Sequence, residues 1–273
     1  MTVPRPSSVF KRHPLITFFV LAFALSWWPI PLYAAGLAPG TIAAFGPFLA
    51  ALIVLAVVQG KVGVVGLLRR MVRWRVGFHW YLVALLLPVV IFGVAAALNV
   101  LLFGAQASSA VLSGWTGLFS TFALSLLIPG IGGSWEEPGW RGYALPRLQA
   151  GRSALFASLI LGVVWALWHL PLMVIGQVQL SDPLVIVAWT VVFTWLFNNT
   201  NGSVLIAMLM HNMYNVSGGF FSAMFSGADW VRLGWLLVVL WCAVALMVVI
   251  VAGPAHLSRK HGKQEEKDFP IAA

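Results

Sequence analysis

The sequence predicts an all-α, polytopic membrane protein, a bundle of about eight transmembrane helices with both termini in the cytoplasm. Of its 273 residues, 61% are hydrophobic and only 8% are charged, whereas charged residues make up about a quarter of a typical soluble domain. The apolar residues form runs that are long enough to cross a bilayer. The basic residues lie at the ends of these runs, so the net charge of +9 reflects membrane topology rather than nucleic-acid binding.

The first half of the chain follows a short cytoplasmic tail, residues 1–13. Its four spans are predicted at about residues 14–35, 41–58, 81–103 and 115–145. The first run is too long for the apolar region of a signal peptide, so we expect an uncleaved span. Within the fourth run, Pro138 and Gly139 predict a kink or a new helix start, and Pro146 is expected to end the helix. Between the second and third spans, basic residues and tryptophans lie close together, which predicts a basic, interfacial segment. These residues are Lys61, Arg69, Arg70, Arg73, Trp74, Arg75 and Trp80.

The second half adds four further spans and a cytoplasmic tail, residues 252–273. The spans are predicted at about residues 153–175, 184–197, 203–225 and 231–251, which gives a transmembrane domain over residues 14–251. Asp182 and Pro183 predict a turn between two of them. With the N-terminus in the cytoplasm, every Lys and Arg except Arg232 falls on the cytoplasmic side, in agreement with the positive-inside rule. We find no internal repeat that would indicate an inverted-repeat transporter.

Two adjacent carboxylates, Glu136 and Glu137, lie at the end of the uncharged run that begins the fourth span. A charge at that depth is costly unless it is paired or faces a hydrated cavity. Glu137 and Arg141 are four residues apart, so on a helix they share a face and can form an ion pair. Glu136 points about 100° away, so it can stay free for chemistry. A purely structural Glu–Arg clamp between helices explains the pair equally well.

Two histidines, His169 and His211, are the ones that fall inside predicted spans, each with a neighbour four residues away on the same helix face. The neighbours are Trp165 and Asn215. Because polar side chains at membrane depth face the bundle interior, we expect these groups to converge with the Glu pair, although His169 lies deeper than the others. Taken alone, each is explained by aromatic packing or by a hydrogen bond between helices. Together they match hydrolysis, in which one pair activates water and the other stabilises an oxyanion.

These residues resemble the motifs of the CPBP (CAAX protease and bacteriocin-processing, or Abi) family of intramembrane proteases, which includes the type II CAAX prenyl endopeptidases. The resemblance covers about residues 115–225. It rests on three motifs. The motif E-E-x-x-x-R corresponds to Glu136, Glu137 and Arg141, and F-x-x-x-H corresponds to Trp165, in place of Phe, and His169. The motif H-x-x-x-N or D corresponds to His211 and Asn215.

The resemblance implies a membrane-embedded endopeptidase with its protease core over these residues. The roles that it implies are activation of the attacking water by Glu136 and His169, stabilisation of the oxyanion by His211 and Asn215, and structuring of the site by Glu137 and Arg141. Members are also described as metalloproteases, and Glu136, His169 and His211 could be three ligands of a catalytic zinc with an open fourth position. The H-E-x-x-H signature is absent, and we favour a glutamate mechanism with no cofactor.

The expected partners are membrane lipid and a peptide or protein substrate. A lipidated substrate with a prenylated CAAX terminus follows from the resemblance alone, and no nucleic acid is expected. We expect a multi-pass protein of a bacterial or archaeal cell membrane whose active site opens towards the cytoplasm. Two other hypotheses remain: a non-catalytic membrane partner, such as a bacteriocin-immunity protein on the same fold, and a carrier that uses Glu136 as its proton site.

Overall fold

The computed structural model describes residues 11–258. Within this range every regular element is helical and no β-strand occurs, which confirms the predicted all-α fold. The eight longer helices of this range are α1 (Pro14–Trp27), α2 (Gly46–Met71), α3 (Phe78–Phe103), α4 (Gly117–Leu127), α5 (Ala154–Trp168), α6 (Asp182–Asn199), α7 (Val204–Ser222) and α8 (Gly227–Ala252).

Among residues 11–258, four helical stretches are long and apolar enough to cross a membrane: Pro14–Ala34, which joins α1 to the short helix Ile30–Ala34, and α2, α3 and α8. Helices α4 and α5 are apolar but shorter. Large apolar side chains on several helices point away from the bundle, as Leu101 on α3 and Ile250 on α8 do with 79% and 73% of their surface exposed. Such a surface suits lipid rather than water. The chain is an integral membrane protein, and eight as the number of spans stays a prediction.

Helix α2 is longer than the predicted second span and incorporates part of the basic segment. It runs from Gly46 to Met71 but is interrupted at Gly60, whose backbone dihedrals are φ 62° and ψ −150°. Glycine adopts this conformation because it has no Cβ. The break separates the apolar first part of α2 from residues 61–71, which carry Lys61 and Arg69. The predicted basic segment therefore begins as a separate helical piece.

The predicted fourth span is divided into α4 and a second helical run, residues 134–149, which we call the site segment. After α4 ends at Leu127, the helix restarts as a 3₁₀ turn, Ser134–Glu136, and continues through short α and π turns to Gln149. A kink or a new helix start was predicted at Pro138 and Gly139, but the helix restarts earlier in the chain, at Ser134. Pro138 lies in the first turn, where its missing N–H is tolerated, so Glu137 keeps helical dihedrals (φ −60°, ψ −37°). The prediction that Pro146 ends the helix is wrong for the same reason, because Pro146 lies in the first turn of Leu145–Gln149.

The predicted fifth span is also interrupted. Helix α5 ends at Trp168, and His169 connects it to the short helix Leu170–Val174, which has a proline in its first turn. Asp182 and Pro183 do not form the predicted turn. They begin α6, because a proline is well suited to the first turn of a helix.

The helices pack so that the site segment is enclosed. Helix α5 packs on α6, α1 on α2, and α3 on α7 and α8. A Cβ on Gly139 would collide with the backbone of Pro47, so only glycine lets α2 approach the site segment this closely.

One end of the bundle carries most of the arginines, and we call it the basic end. Here Arg70 donates a hydrogen bond to the carbonyl of Gly142 at 2.7 Å, and Arg73 donates to the carbonyl of Asn201 at 2.6 Å. These bonds tie α2 to the site segment and to the α6–α7 connection.

The opposite end, which we call the distal end, is held by acidic and amide side chains. The backbone N–H of Gln106 donates to Asp229 at 3.1 Å, and the side chain of Gln179 donates to the carbonyl of Trp230 at 3.0 Å. The connections that follow α3, α5 and α7 therefore meet at this end.

Candidate active site

A buried ionic triplet lies at the base of the candidate site. The Glu137 Oε1 atom lies 3.1 Å from Nη1 of Arg141 and 2.7 Å from Nδ1 of His211. The three side chains are almost entirely shielded from solvent. The predicted Glu137–Arg141 pairing is confirmed, whereas His211 was not predicted as a partner of Glu137. A buried carboxylate with these partners is compensated in charge, and the loss of one partner would leave a charge unpaired.

Aromatic rings hold the guanidinium group of Arg141 in place. Its Cζ atom lies 4.2 Å from the ring centroid of Trp165 and 4.1 Å from that of Phe193. Cations are attracted to the faces of such rings, and more strongly when water is excluded. Because Trp165 belongs to α5 and Phe193 to α6, Arg141 joins both helices to the site segment.

Glu136 is held through one of its two carboxylate oxygens. The Oε2 atom accepts a hydrogen bond from the indole N–H of Trp165 at 2.7 Å and a longer one from Trp140 at 3.4 Å. Glu136 is only 3% exposed. The two indoles therefore fix the carboxylate and leave Oε1 for another contact. Sequence reasoning missed both donors, although Trp140 is four residues after Glu136 and shares its helix face.

Oε1 of Glu136 and Nε2 of His211 both lie next to the space that a side chain at Gly133 would occupy. A Cβ on Gly133 would lie 2.7 Å from Oε1 of Glu136 and closer than contact distance to Nε2 of His211. Only glycine leaves this space open. The two groups that were predicted to take part in hydrolysis therefore converge on one small volume.

The hydrogen bonds of the two histidines determine which ring nitrogens remain free. Nδ1 of His169 lies 2.9 Å from the backbone carbonyl oxygen of Trp165. A carbonyl oxygen can only accept, so we assign the proton to Nδ1 and a lone pair to Nε2 of the neutral ring. Nδ1 of His211 is bound to Glu137. In both histidines Nε2 is the nitrogen available to a ligand.

A cavity of about 370 Å³ contains these groups, which is within the usual size range of ligand pockets. All four predicted catalytic residues line it, namely Glu136, His169, His211 and Asn215. Glu137 and Arg141 are not among the lining residues and lie behind the site, as their predicted structural role requires. The remaining walls are largely apolar and aromatic: Ile42, Ala44, Gly130, Gly132, Gly133, Trp165, Trp168, Leu172, Val178, Asp182, Ile186, Trp189 and Tyr214.

The outer walls of the cavity lie at the distal end of the bundle. Ile42 and Ala44 belong to the connection between α1 and α2, and Val178 and Asp182 lie where the α5–α6 connection enters α6. They lie at this end because His169, at the end of α5, and the loop that follows it form one side of the site. The opening of the site towards the cytoplasm stays a prediction.

The proposed zinc ligands do not form a ligand group here. In the part of the chain that the structure describes, no three side chains of His, Cys, Asp or Glu are arranged to hold a metal ion. Nε2 of both histidines and Oε1 of Glu136 stay available, and the Nδ1 contacts to Glu137 and to a backbone carbonyl are of the kind that zinc-bound histidines also make. Zinc binding therefore stays a prediction, and we derive no step through a metal.

Comparison with known proteins supports the resemblance that the motifs indicated. Residues 118–217 match the family model described as type II CAAX prenyl endopeptidase Rce1-like. This part of the chain is therefore similar to the Rce1-like family. The matched range contains every residue of the three motifs, from Glu136 to Asn215.

A curated relative shows the same likeness. The chain is 30% identical over 150 residues to a protein of Methanococcus maripaludis named CAAX prenyl protease 2. The aligned residues cover 50% of this chain and 54% of the relative, so the match spans about half the length of the curated protein.

Proposed function

We propose that the protein is an intramembrane endopeptidase that hydrolyses a peptide bond of a membrane-associated substrate with a water molecule activated by Glu136. The observation that carries the proposal is that Oε1 of Glu136 and Nε2 of His211 converge beside Gly133 in one cavity, whose other walls are largely apolar and aromatic. A carboxylate whose other oxygen is fixed by two indole N–H groups is suited to act as a general base. The match of residues 118–217 to the Rce1-like family model supports the same chemistry.

The reaction begins with the attacking water. Glu136 takes one proton from the water as the water oxygen attacks the carbonyl carbon of the scissile bond. The free Nε2 of His169 accepts a hydrogen bond that orients this water. The product of this step is a tetrahedral intermediate with a negatively charged oxygen.

The negatively charged oxygen of the intermediate is stabilised by hydrogen-bond donors of the same cavity. When His211 carries a proton on both nitrogens, Glu137 compensates its charge and Nε2–H donates to the oxyanion. The amide of Asn215, which also lines the cavity, donates a second hydrogen bond. Glu136 then passes its proton to the leaving nitrogen, the C–N bond breaks, and the carboxylate is restored.

The substrate is proposed to be a peptide or protein held at the membrane. The name of the relative, CAAX prenyl protease 2, makes a prenylated peptide one substrate to test beside a plain one. The apolar side walls of the cavity, such as Leu172 and Ile186, can accept apolar side chains or a lipid segment.

The test is peptide cleavage by the purified protein in lipid nanodiscs. Quenched fluorescent peptides, prenylated and plain, are offered to the wild type, Glu136→Gln and His169→Ala. Asp229→Asn, which makes the same carboxylate-to-amide change at the distal surface, is the control. The proposal expects cleavage by the wild type and Asp229→Asn, and little by the other two.

The same assay separates the alternatives. Unchanged cleavage by Glu136→Gln contradicts the assignment of the base. A non-catalytic partner cuts no peptide and tolerates Glu136→Gln in its biological role. A proton-coupled carrier shows substrate uptake in vesicles that Glu136→Gln abolishes, and a zinc protease loses cleavage in a chelator and regains it with zinc.

A further inference from the structure

The cavity wall contains a hydroxyl group that the proposed mechanism does not use. Besides the four residues of that mechanism, the wall includes two side chains with a carboxylate or a hydroxyl, Asp182 and Tyr214. Oδ2 of Asp182 accepts a hydrogen bond from the backbone N–H of Gln179 at 2.8 Å. In the part of the chain that the structure describes, the hydroxyl of Tyr214 makes no hydrogen bond, and it is not among the polar atoms that the fold shields completely. This hydroxyl is therefore open to a ligand in the cavity.

Aromatic contacts hold the ring of Tyr214 in place. It stacks on Trp189 of α6, with ring centroids 4.0 Å apart and an angle of 28° between the ring planes. Phe92 of α3 packs against it in a T-shaped arrangement, with centroids 5.1 Å apart. Trp189 also contacts the ring of His211, at a centroid distance of 5.1 Å. Tyr214 and the proposed oxyanion donor His211 are therefore held by the same indole, which fixes them relative to each other.

The position of Tyr214 on α7 relates it to the site of the proposed oxyanion. Tyr214 follows His211 by three residues in the helix, so the two share a face and lie about 4.5 Å apart along the axis. Asn215, the second proposed donor, is the next residue. An extended peptide advances about 3.3 Å per residue. A substrate whose scissile carbonyl meets His211 and Asn215 therefore brings a neighbouring peptide unit within reach of Tyr214.

Two other tyrosines show which partner such a hydroxyl takes in this protein. Tyr143 donates a hydrogen bond to the backbone carbonyl of Pro14 at 3.1 Å, and Tyr81 donates to that of Trp74 at 2.6 Å. A tyrosine hydroxyl that is removed from water usually has such a partner. Every peptide supplies backbone carbonyl groups as acceptors, so a bound peptide can provide the acceptor that Tyr214 lacks.

We propose that Tyr214 is a further substrate-binding residue, whose hydroxyl donates a hydrogen bond to a backbone carbonyl of the substrate next to the scissile bond. The proposal rests on the proposed function, because it requires a peptide in the cavity. A bond to the backbone does not depend on the substrate side chain at that position. Tyr214 therefore contributes to the binding of peptides of different sequence.

The first test measures binding without cleavage. A fluorescent peptide is titrated against the Glu136→Gln protein in nanodiscs, with and without Tyr214→Phe, which keeps the ring and removes the hydroxyl. We expect Tyr214→Phe to raise Kd about 2- to 10-fold, the effect of one neutral hydrogen bond. Tyr33→Phe is the matched control, because the hydroxyl of Tyr33 also makes no hydrogen bond within residues 11–258 and Tyr33 is not part of the cavity wall. An unchanged Kd in Tyr214→Phe would overturn the proposal.

The second test identifies the acceptor on the peptide. Each backbone amide beside the scissile bond is replaced in turn by a thioamide, whose sulfur is a weaker acceptor than oxygen. At the position that Tyr214 contacts, the thioamide is expected to weaken binding to the Glu136→Gln protein and to have little further effect when Tyr214→Phe is also present. A ring that only packs against its neighbours gives no such coupling. Thioamide effects that are equal in both proteins at every position would overturn the proposal.

Cleavage kinetics distinguish failure of this proposal from failure of the proposed function. With Glu136 intact, Tyr214→Phe is expected to raise KM and to leave kcat nearly unchanged, because the bond is made in the bound substrate as well as in the transition state. If Tyr214→Phe weakens peptide binding but no protein cleaves any peptide, the proposed function fails and the binding role of Tyr214 stands. If the wild type cleaves peptides and Tyr214→Phe changes neither Kd nor KM, this proposal fails alone.

Discussion

Trp165 holds the carboxylate of Glu136, the proposed general base, and replacing Trp165 tests that role directly. In the family pattern this position is Phe, which has no N–H, whereas here the indole N–H of Trp165 donates to Oε2 of Glu136 at 2.7 Å. Trp165→Phe keeps an aromatic ring beside Arg141 and removes this one donor. Trp140 does not replace it, because its bond to the same oxygen is 3.4 Å long.

The expected loss follows from the strength of the bond. A hydrogen bond of this length to a carboxylate is of the charge-assisted kind, which contributes about 1.5–3 kcal/mol. Since each 1.4 kcal/mol corresponds to a factor of ten, kcat/KM is expected to fall about 10- to 100-fold. The loss should appear in kcat with little change in KM, because the orientation of Glu136 affects the chemical step rather than substrate binding.

The assay is peptide cleavage in nanodiscs beside the thermal unfolding of each variant. Trp241→Phe is the matched control, because Trp241 is as fully buried as Trp165 and its indole N–H has no acceptor among residues 11–258. Both variants remove similar volume, but only Trp165→Phe also removes a hydrogen bond and should lose activity. Equal activities of the two variants, or a loss confined to KM, would refute the role assigned to this bond.

Three further predictions concern the site and its support. Gly133→Ala places a methyl group between Glu136 and His211, so we expect cleavage to fall by about 100-fold or more, measured as kcat with the fold checked by thermal unfolding. Glu137→Gln leaves the charge of Arg141 buried without a partner, and we expect the free energy of unfolding to fall by about 3–5 kcal/mol, measured as a lower Tm. A strong chelator is expected to leave the turnover of the wild type unchanged, since the proposed mechanism uses no metal.

The controls make these outcomes specific. Gly219→Ala is matched to Gly133→Ala, because a Cβ on Gly219 has open space around it, and it should cleave peptides like the wild type. A Gly133→Ala variant as active as Gly219→Ala would contradict the position of the attacking water. Wild-type stability of Glu137→Gln would contradict the ionic triplet, and zinc-reversible inhibition by the chelator would favour the metal mechanism.

Short spacings between residues on one helix, and the positions of polar residues within apolar runs, predicted much of the site. The pairing of Glu137 with Arg141 follows from a four-residue spacing on one helix, which the sequence states directly. The rule that polar groups face the interior of a membrane bundle brought Glu136, His169 and His211 to one cavity. These predictions needed only helix geometry and the cost of an unpaired charge in lipid.

Side-chain contacts between residues far apart in the sequence were not predictable in the same way. His211 is 74 residues from Glu137, and Trp165 is 29 residues from Glu136. No periodicity indicates which ring nitrogen or indole meets which oxygen across helices. The breaks at Gly60 and before the site segment depend on backbone conformations that packing selects, so continuous spans were predicted where the chain forms two helices.

The proposed mechanism depends most on one water molecule between Glu136 and His211, and a structure that shows ordered water tests this directly. We expect a water within hydrogen-bonding distance of both Oε1 of Glu136 and Nε2 of His211, in the space beside Gly133. A dry contact between the two side chains, or packed side chains that separate them, would contradict it.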